Sequence, residues 1–290
     1  MQLETVTPST VKHRRKAART VAKSRAIQLD MSSVNAALKE QIEQSGWAHI
    51  FNETPDELLA VDTNAKTIKG QALMVKTAIL YLAPSDLSGT NVCAMALMAG
   101  CIGPCLFTAG RAGMFASILA SRLRKTLFWL QHPERFLAQL DKEITRLKAK
   151  VAAEGYQLVI RLNGTSDIRW ENYGIIQKHP DVQFYDYTKL PNRKNVPANY
   201  DLTYSYSGTA AFAPYVAQAV ARGERIAVVF RSRKLVKALI KRNATFLGLP
   251  IIDGDNSDVR HRDPKGCIVA LYAKGRAKKD RSGFVVDSVD

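Results

Sequence analysis

The sequence predicts an α/β fold in which about six to eight mostly parallel strands form a partial or complete (β/α) barrel. About seven short apolar segments recur between residues 76 and 273, and most of them end in a polar or glycine-containing turn. Continuous apolar strands are typical of a parallel sheet that is buried on both faces. Amphipathic segments between the strands supply the crossover helices that such a sheet requires.

The predicted strands and helices follow one another along the chain. Apolar runs without a helical period predict strands at 76–83, 157–162, 182–187, 202–206, 225–230, 249–252 and 267–273. Apolar residues that recur every three or four positions predict helices at 31–44, 114–130, 133–153, 210–222 and 234–247. A further helix start is predicted at Thr54, because Pro55 and Glu57 follow it in the pattern of a helix cap.

The first 30 residues are strongly basic. Seven Lys and Arg side chains precede residue 26, and Glu4 is the single acid before Asp30. We therefore divide the chain into a basic arm with a helical appendage at residues 1–70 and a barrel-like domain at residues 71–290. Such an arm is typical of segments that contact DNA or RNA, and the alternative is a solvated tail.

The whole chain is basic as well, with a formal net charge of +16 and a pI near 9.8. This balance favours a polyanionic partner, with nucleic acid ahead of an anionic membrane surface. The sequence contains no run of about 18 apolar residues, and its first residues lack the apolar part of a signal peptide. Because four unevenly spaced cysteines do not form a disulfide framework, we expect a cytoplasmic protein without membrane contact.

Three of the four cysteines lie in one glycine-rich stretch at residues 91–113. Cys93, Cys101 and Cys105 fall between the first predicted strand and the next helix, where α/β sheets and barrels bind ligands. One interpretation is a shared metal or iron–sulfur site, because soft metals prefer thiolate ligands. The other is that the thiols pack as small buried hydrophobes. Cys267 begins the last predicted strand, and we expect it to lie apart from the other three.

Polar residues follow the predicted strands, and in a barrel such positions face one cavity at the carboxyl ends of the strands. We expect a ligand-binding cavity beside the cysteines, lined by Asn163, Ser166, Asp167, Asp186, Lys189, Ser205, Asp253, Asp255, Asp258 and Lys274. Each residue also has an ordinary structural explanation, since Asn-Gly and Asp-Gly pairs form turns and Ser or Asp caps helices. The sequence contains no P-loop, no GxSxG motif, and no HExxH or Cys/His zinc spacing.

Several motifs resemble those of a bacteriophage family, the "gene product eighty-eight" type, and its bacterial prophage relatives. The similarity covers about residues 75–286. It is carried by AGR (109–111) after the cysteines and by RLNGTSDIRWE (161–171), VQFYDYTK (182–189), LTYSYS (202–207), IIDGDNSD (251–258) and IVALYAKGRA (268–277). The resemblance implies a phage or prophage protein and no particular activity.

The order of elements is also similar to that of radical S-adenosylmethionine enzymes. These enzymes have a partial (β/α)6 barrel, and three cysteines after its first strand bind a [4Fe–4S] cluster. The resemblance implies a cluster on Cys93, Cys101 and Cys105, with S-adenosylmethionine contacted by residues 163–167 and by Ser205. The spacing Cys-x7-Cys-x3-Cys differs from the common CxxxCxxC of that family.

Two functional hypotheses follow from these observations. In the first, the protein is an iron–sulfur enzyme of the radical S-adenosylmethionine type that acts on a nucleic-acid-related substrate. In the second, it is a nucleic-acid-binding or replication-associated phage protein without enzymatic activity, and its cysteines are structural or bind zinc. We favour the enzyme.

Overall fold

A computed structural model describes residues 26–62 and 65–289 of the chain. All seven basic residues of the predicted arm lie outside the described residues. Within them, nine strands form one sheet. The strands are β1 (Leu59–Val61), β2 (Val75–Leu80), β3 (Gln157–Arg161), β4 (Gln183–Thr188), β5 (Tyr200–Ser205), β6 (Ile226–Phe230), β7 (Thr245–Phe246), β8 (Leu249–Asp253) and β9 (Ile268–Tyr272).

Six α-helices accompany the sheet in the described ranges. They are α1 (Ala36–Gln44), α2 (Ala65–Ile68), α3 (Ala116–Gln131), α4 (Pro133–Ala153), α5 (Ala213–Ala221) and α6 (Arg233–Lys241). Two short 3-10 helices matter for the site, Leu106–Thr108 before α3 and Gly275–Lys279 after β9. None of the described helices is long and apolar enough to cross a membrane.

The sheet is open and mostly parallel, with the order β1-β2-β3-β4-β5-β6-β9-β8-β7. The seven strands from β2 to β8 in this order run parallel to their neighbours. The short strands β1 and β7 pair antiparallel at the two edges, and the sheet ends with them. The predicted α/β class with mostly parallel strands is therefore confirmed, but the structure does not show the predicted barrel.

All seven predicted strands are present, and their ends differ from the predicted ends by at most three residues. Helix α4 covers the predicted residues 133–153. The predicted helix at 234–247 is shorter, because Asn243 adopts a positive φ of 50° after α6 and the chain then enters β7.

Alternate residues of each strand face two different layers. On one face, Ile160 and Phe184 pack in the larger core with apolar residues of α3 and α4. On the other face, Val159 and Tyr185 pack against Val259. Val259 belongs to the segment between β8 and β9, whose 3-10 helix contacts β4 and β5. Parallel pairing places the carboxyl ends of seven strands along one side of the sheet, which we call the carboxyl edge.

The segment before β2 shares the larger core, since Leu29 and Phe51 are buried in it. The helix start predicted at Thr54 is wrong, and the chain is extended from there into β1. The amides of Leu58 and Leu59 donate to the buried carboxylate of Glu143 on α4, at 2.8 and 3.0 Å. These bonds to α4 replace the intrahelical bonds that the cap pattern predicted.

Candidate functional site

A cysteine loop, defined as residues 81–115, covers the carboxyl edge of the sheet. The Asp167 amide donates to Val92 O at 2.8 Å and ties the loop to the turn after β3. The Ser207 hydroxyl donates to Ala99 O at 2.8 Å and ties the loop to the turn after β5. The loop is therefore anchored on both sides of β4, and its cysteines lie near the ends of the central strands.

The loop brings the thiols of Cys93, Cys101 and Cys105 together. Burial raises the pKa of Cys93 to about 12, and the neighbouring Asp167, Cys105 and Cys101 act in the same direction. Burial likewise raises the pKa of Cys101, and the Cys105 thiol adds to this effect. Each of these two thiols is influenced by the charge of the others, which places the three thiols in the same part of the carboxyl edge. They are protonated near neutral pH until a ligand displaces the protons.

Lys189 places a buried ammonium group against these thiols. Its Nζ donates to Ser205 Oγ at 2.9 Å and to the carbonyl oxygens of Ser205 and Tyr206, both at 3.1 Å. Burial lowers the pKa of Lys189 to about 8, while Cys101 and Asp167 oppose that change. The side chain is 9% exposed, so its charge is felt mainly inside the site.

Asp167 is the carboxylate nearest to the thiols. One carboxylate oxygen accepts from Thr188 Oγ1 at 2.8 Å, and the other accepts from the Lys189 amide at 2.7 Å. Burial raises the pKa of Asp167, and these hydrogen bonds limit the rise. The carboxylate is thereby fixed at the end of β4 beside Cys93 and Cys101.

Arg122 on α3 lies near the thiol of Cys105. Its guanidinium lies over the Tyr81 ring at 4.7 Å and lowers the pKa of Cys105, which burial raises. Within the described part of the chain, the buried Nη1 atom of Arg122 has no hydrogen-bond partner. An unpartnered guanidinium nitrogen beside thiols favours an anionic ligand, because a bound anion would supply the missing acceptor.

Arg193 is a second buried guanidinium at the same edge. It pairs with the buried Glu171, and its Nη1 atom lies 4.0 Å from Asp167 Oδ1. Sequence reasoning missed Arg122 and Arg193 as site residues. Arg122 does leave a signal, since it falls on the apolar stripe of the predicted helix 114–130, where a charged side chain needs a special reason.

Three predicted site residues organise the turn after β3. Asn163 Oδ1 accepts from Ser166 Oγ at 2.9 Å and from Trp170 Nε1 at 3.1 Å. Asp186 accepts from the Asn163 amide at 2.9 Å and from the Tyr200 hydroxyl at 2.9 Å, and burial raises its pKa to about 6. These contacts give Asn163, Ser166 and Asp186 a structural part in holding the turn that carries Asp167.

Asp253, Asp255 and Lys274 form a separate polar group at the ends of β8 and β9. The Asp255 amide donates to Asp253 Oδ1 at 2.8 Å, and Lys274 Nζ lies 3.3 Å from Asp255 Oδ1. Lys69 Nζ also donates to Asp255 O at 2.7 Å. The residues predicted around one cavity thus fall into more than one group, and Asp167, Lys189 and Ser205 are the members next to the thiols.

Asp258 lies on the face of the sheet that is remote from α3 and α4. Its carboxylate pairs with Arg161 Nη1 at 2.7 Å and accepts from the Tyr187 hydroxyl at 3.2 Å. The segment after β8 turns back across this face, so Asp258 does not stay with the other strand-end residues.

A protein-family model described as Gene product 88 matches residues 57–288, which is most of the chain and includes the whole sheet. The chain belongs to the Gene product 88 family. The phage gene-product family predicted from the motifs is therefore confirmed. No curated protein and no solved structure matches this chain. The resemblance to radical S-adenosylmethionine enzymes stays a prediction.

Cys267 lies away from the cysteine loop in this Gene product 88 chain. It precedes β9 and is therefore at the amino ends of the parallel strands, opposite the carboxyl edge. Its thiol is buried and donates to Pro264 O at 3.2 Å. Its pKa is raised by burial and lowered by Arg225, a residue of the same end of the sheet.

The described side chains do not form a ready-made site for a single metal ion. Among residues 26–62 and 65–289, no three His, Cys, Asp or Glu side chains stand in positions that could hold one metal ion. The thiols of Cys93, Cys101 and Cys105 are thus neighbours without forming a single-ion site as they stand.

Two shallow surface hollows of about 530 and 560 Å³ lie elsewhere on the molecule. The first lies between residues 54–56 and α4, and the second lies between residues 28–32 and 48–52. Neither is lined by a cysteine or by a predicted site residue. The chemistry of the side chains, rather than the size of a hollow, therefore identifies the candidate site.

Proposed function

We propose that this protein binds a [4Fe–4S] cluster through Cys93, Cys101 and Cys105 and acts with S-adenosylmethionine on a nucleic-acid-related substrate. The observation that carries the proposal is the meeting of three thiols with Lys189 and Asp167 at the carboxyl edge. Open α/β sheets bind their ligands at this edge. Thiolates are the ligands that hold iron–sulfur clusters in proteins.

A cluster and a zinc ion make different geometric demands on the three thiols. Tetrahedral zinc holds sulfur at about 2.3 Å, which places its sulfur ligands roughly 3.8 Å apart. The described residues contain no group of three ligands that could hold one ion. In a cluster each cysteine binds a different iron, so the sulfurs stand farther apart. The iron and zinc content of the purified protein therefore distinguishes a cluster from a zinc ion.

The surrounding charges support an anionic group at this position. Three thiolates in a buried site require nearby positive charge, because an uncompensated buried charge is costly. Lys189 and Arg122 lie beside the thiols, and Nη1 of Arg122 still lacks a partner among the described residues. Since ligation also releases the thiol protons, we expect the cysteines to load more completely as the pH rises from 6 to 8.

S-adenosylmethionine carries an ammonium and a carboxylate on its amino-acid moiety. Asp167 and Lys189 offer charges of the matching signs next to the thiols, and Ser205 offers a hydroxyl that Lys189 already orients. Asn163 and Ser166 hold the turn that positions Asp167. When bound, a cluster with one iron free of cysteine supplies an electron to S-adenosylmethionine.

The test is anaerobic purification of the full chain after expression with iron, followed by iron, sulfide and zinc analysis. We expect about four irons per chain, a broad charge-transfer absorbance that reduction bleaches, and loss of both in Cys93→Ala, Cys101→Ala and Cys105→Ala. Cys267→Ala is the matched control and should keep the iron. Iron-free protein after anaerobic reconstitution, or equal loading of all four cysteine variants, would overturn the proposal.

The second candidate function is a nucleic-acid-binding protein whose cysteines bind zinc or nothing. The observation that favours it is the net charge of +16, which suits a polyanion without any metal. Under this alternative, zinc analysis gives about one zinc or none per chain, and oligonucleotide binding is the same in the three loop-cysteine variants as in the parent protein.

A further inference from the structure

The chain after β9 forms a basic hook, defined as residues 274–282, that packs on the cysteine loop. The Arg276 amide donates to Thr108 Oγ1 at 3.3 Å. The Ser282 hydroxyl donates to Gly100 O at 3.1 Å. Both ends of the hook therefore contact the loop that carries the thiols.

Hydrogen bonds to its backbone hold the hook in a defined conformation. The Arg231 guanidinium donates to the carbonyl oxygens of Ala277, Lys278 and Asp280 at 3.1, 2.9 and 2.7 Å. Gly275 has a φ of +53°, and a Cβ there would meet backbone atoms of the cysteine loop at 2.9 Å. A segment fixed in this way presents its side chains without a large loss of conformational entropy when it binds a partner.

The hook exposes an excess of positive charge. Arg276, Lys278 and Lys279 are exposed, and no ion pair involves them in the described part of the chain. Asp280 is the one acid of the hook, and its carboxylate accepts from the Val285 amide at 3.2 Å rather than from these cations. Three unpaired cations on a preformed turn favour a ligand with repeated negative charges.

Six exposed large apolar side chains belong to the cysteine loop, and we call them the apolar crest. The crest consists of Leu97, Met98, Ile102, Leu106, Met114 and Phe115. Leu97 is 80% exposed and Met114 is 76% exposed. Leu106 belongs to the 3-10 helix that contacts the 3-10 helix of the hook. Apolar side chains gathered at the surface in this way mark an interaction site.

We infer that a single-stranded nucleic acid lies across this surface, with its phosphates on the basic hook and its bases on the apolar crest. This inference rests on the proposed nucleic-acid-related substrate and names the surface that holds it. Single strands bind proteins through such a combination of cations along the backbone and apolar contacts to exposed bases. A duplex keeps its bases stacked inside and would leave the crest uncovered.

An anionic bilayer also attracts basic and apolar side chains. The charge of the whole chain decides for nucleic acid. Its formal net charge of +16 suits an extended polyanion, which can also meet cations away from the hook, whereas a flat bilayer meets the cations of one face only.

The experiment measures binding of a fluorescent 20-nucleotide single strand and of its duplex by anisotropy over a range of salt concentrations. The hook variant carries Arg276→Gln, Lys278→Gln and Lys279→Gln in the full chain. The matched control carries Lys142→Gln, Arg146→Gln and Lys150→Gln on α4, which also removes one Arg and two Lys from exposed positions. The crest variant carries Leu97→Ser, Leu106→Ser and Met114→Ser.

For the hook variant we expect the slope of log affinity against log salt to become shallower by about 2, from three contacts at about 0.7 each. The control variant should keep the parent slope. The crest variant should keep the slope but bind the single strand roughly tenfold more weakly, with duplex binding unchanged. An equal loss of slope in the hook and control variants would overturn the inference, because total charge would then explain it.

Loss of binding to phosphatidylserine vesicles in the hook and crest variants, with oligonucleotide binding unchanged, would also overturn it in favour of a membrane. The iron content of each variant separates this inference from the proposed function. A hook variant with full iron and a shallower slope supports both. A chain that binds no iron but shows the hook effect refutes the cluster and keeps the nucleic-acid surface.

Discussion

Two regions of the molecule bury positively charged side chains, and the partners of these side chains differ between the two regions. The arginine network, which lies beneath the segment between β8 and β9, consists of Arg161, Arg225 and Arg260 with Asp201, Asp258 and Asp263. Each of its three guanidinium groups has a carboxylate within hydrogen-bonding distance. At the cysteine site, Lys189 bonds to a hydroxyl and to carbonyl oxygens, and Nη1 of Arg122 has no partner among the described residues.

The difference separates a structural site from a ligand site. In the arginine network each buried cation has its charge compensated by a carboxylate, although Nε of Arg161 and Nε of Arg260 have no hydrogen-bond partner among the described residues. At the cysteine site Lys189 has three uncharged acceptors and no carboxylate bonded to its Nζ, and Arg122 has an unpartnered nitrogen, so an incoming anion can compensate the charge there. The comparison therefore predicts that changes in the arginine network affect folding, whereas changes at the cysteine site affect binding.

The largest expected effect is on folding and comes from Asp258→Ala. This change leaves the buried Arg161 without its 2.7 Å partner, and removing one member of a buried pair costs about 3–5 kcal/mol in the free energy of unfolding. Chemical denaturation followed by circular dichroism measures it. Asp181→Ala, which breaks an exposed pair with Lys148, is the control and should leave the midpoint unchanged. A loss below about 1 kcal/mol for Asp258→Ala would contradict the structural assignment of the network.

The second prediction concerns pH and Lys189. Its pKa is about 8 in the folded chain because of burial, and about 10.4 in an unfolded chain. Between these values the unfolded chain binds more protons, so this residue makes the free energy of unfolding rise with pH, by roughly 3 kcal/mol in total. We expect the free energy of unfolding of the parent protein to rise by about that amount relative to that of Lys189→Met between pH 7.5 and pH 10.5.

Denaturant titrations at several pH values check this expectation, and the subtraction removes the contributions of groups common to both proteins. Lys265→Met is a useful comparison, since burial lowers the pKa of Lys265 to about 8 as well, but its side chain is 56% exposed. We expect a smaller change there, because solvent screens an exposed amine. If the free energies of unfolding of the parent protein and of Lys189→Met differed by the same amount at all pH values, Lys189 would not be shielded from water.

The strands and most helices could be predicted from the sequence because both faces of the sheet are covered. Strands such as β6 and β9 are apolar throughout and end in polar residues, so their limits are visible without a structure. The open form of the sheet could not be predicted. Closure depends on the edge strands, and β1 and β7 have three and two residues, too few to give a pattern.

Part of the candidate site was also visible in the sequence. The cysteine spacing on a loop after a strand singled out Cys93, Cys101 and Cys105 as a candidate group. The cations around them were harder to find, since Arg193 follows a Pro-Asn turn beside Lys194 and resembles a solvent-exposed residue. The sequence predicted one cavity for all the polar strand-end residues, but Asp258 lies elsewhere and pairs with Arg161.

The third prediction uses the one cysteine outside the loop. Cys267→Ala removes a buried sulfur atom at the amino end of β9, and we expect a loss of about 1 kcal/mol in the free energy of unfolding. Cys101→Ala, at a less buried position, should cost less and should abolish iron loading. Thermal unfolding together with iron analysis gives both quantities. Iron loss in Cys267→Ala would remove the distinction between the two ends of the sheet.

The smallest effect on stability is expected from deletion of residues 1–25. The deletion removes seven Lys or Arg and one Glu, so six of the sixteen net positive charges leave with it. The melting temperature should stay the same, because the core formed by the described residues begins after this segment. If the segment contacts phosphates, the salt slope of oligonucleotide binding becomes shallower by up to about 5, from seven contacts at about 0.7 each.

The deletion and the hook variant should then act additively, because they remove charges from different parts of the chain. An unchanged slope after the deletion would show that the segment is a solvated tail. The hook would in that case carry the nucleic-acid contact alone, and combining the deletion with the hook substitutions would give the same slope as the hook substitutions by themselves.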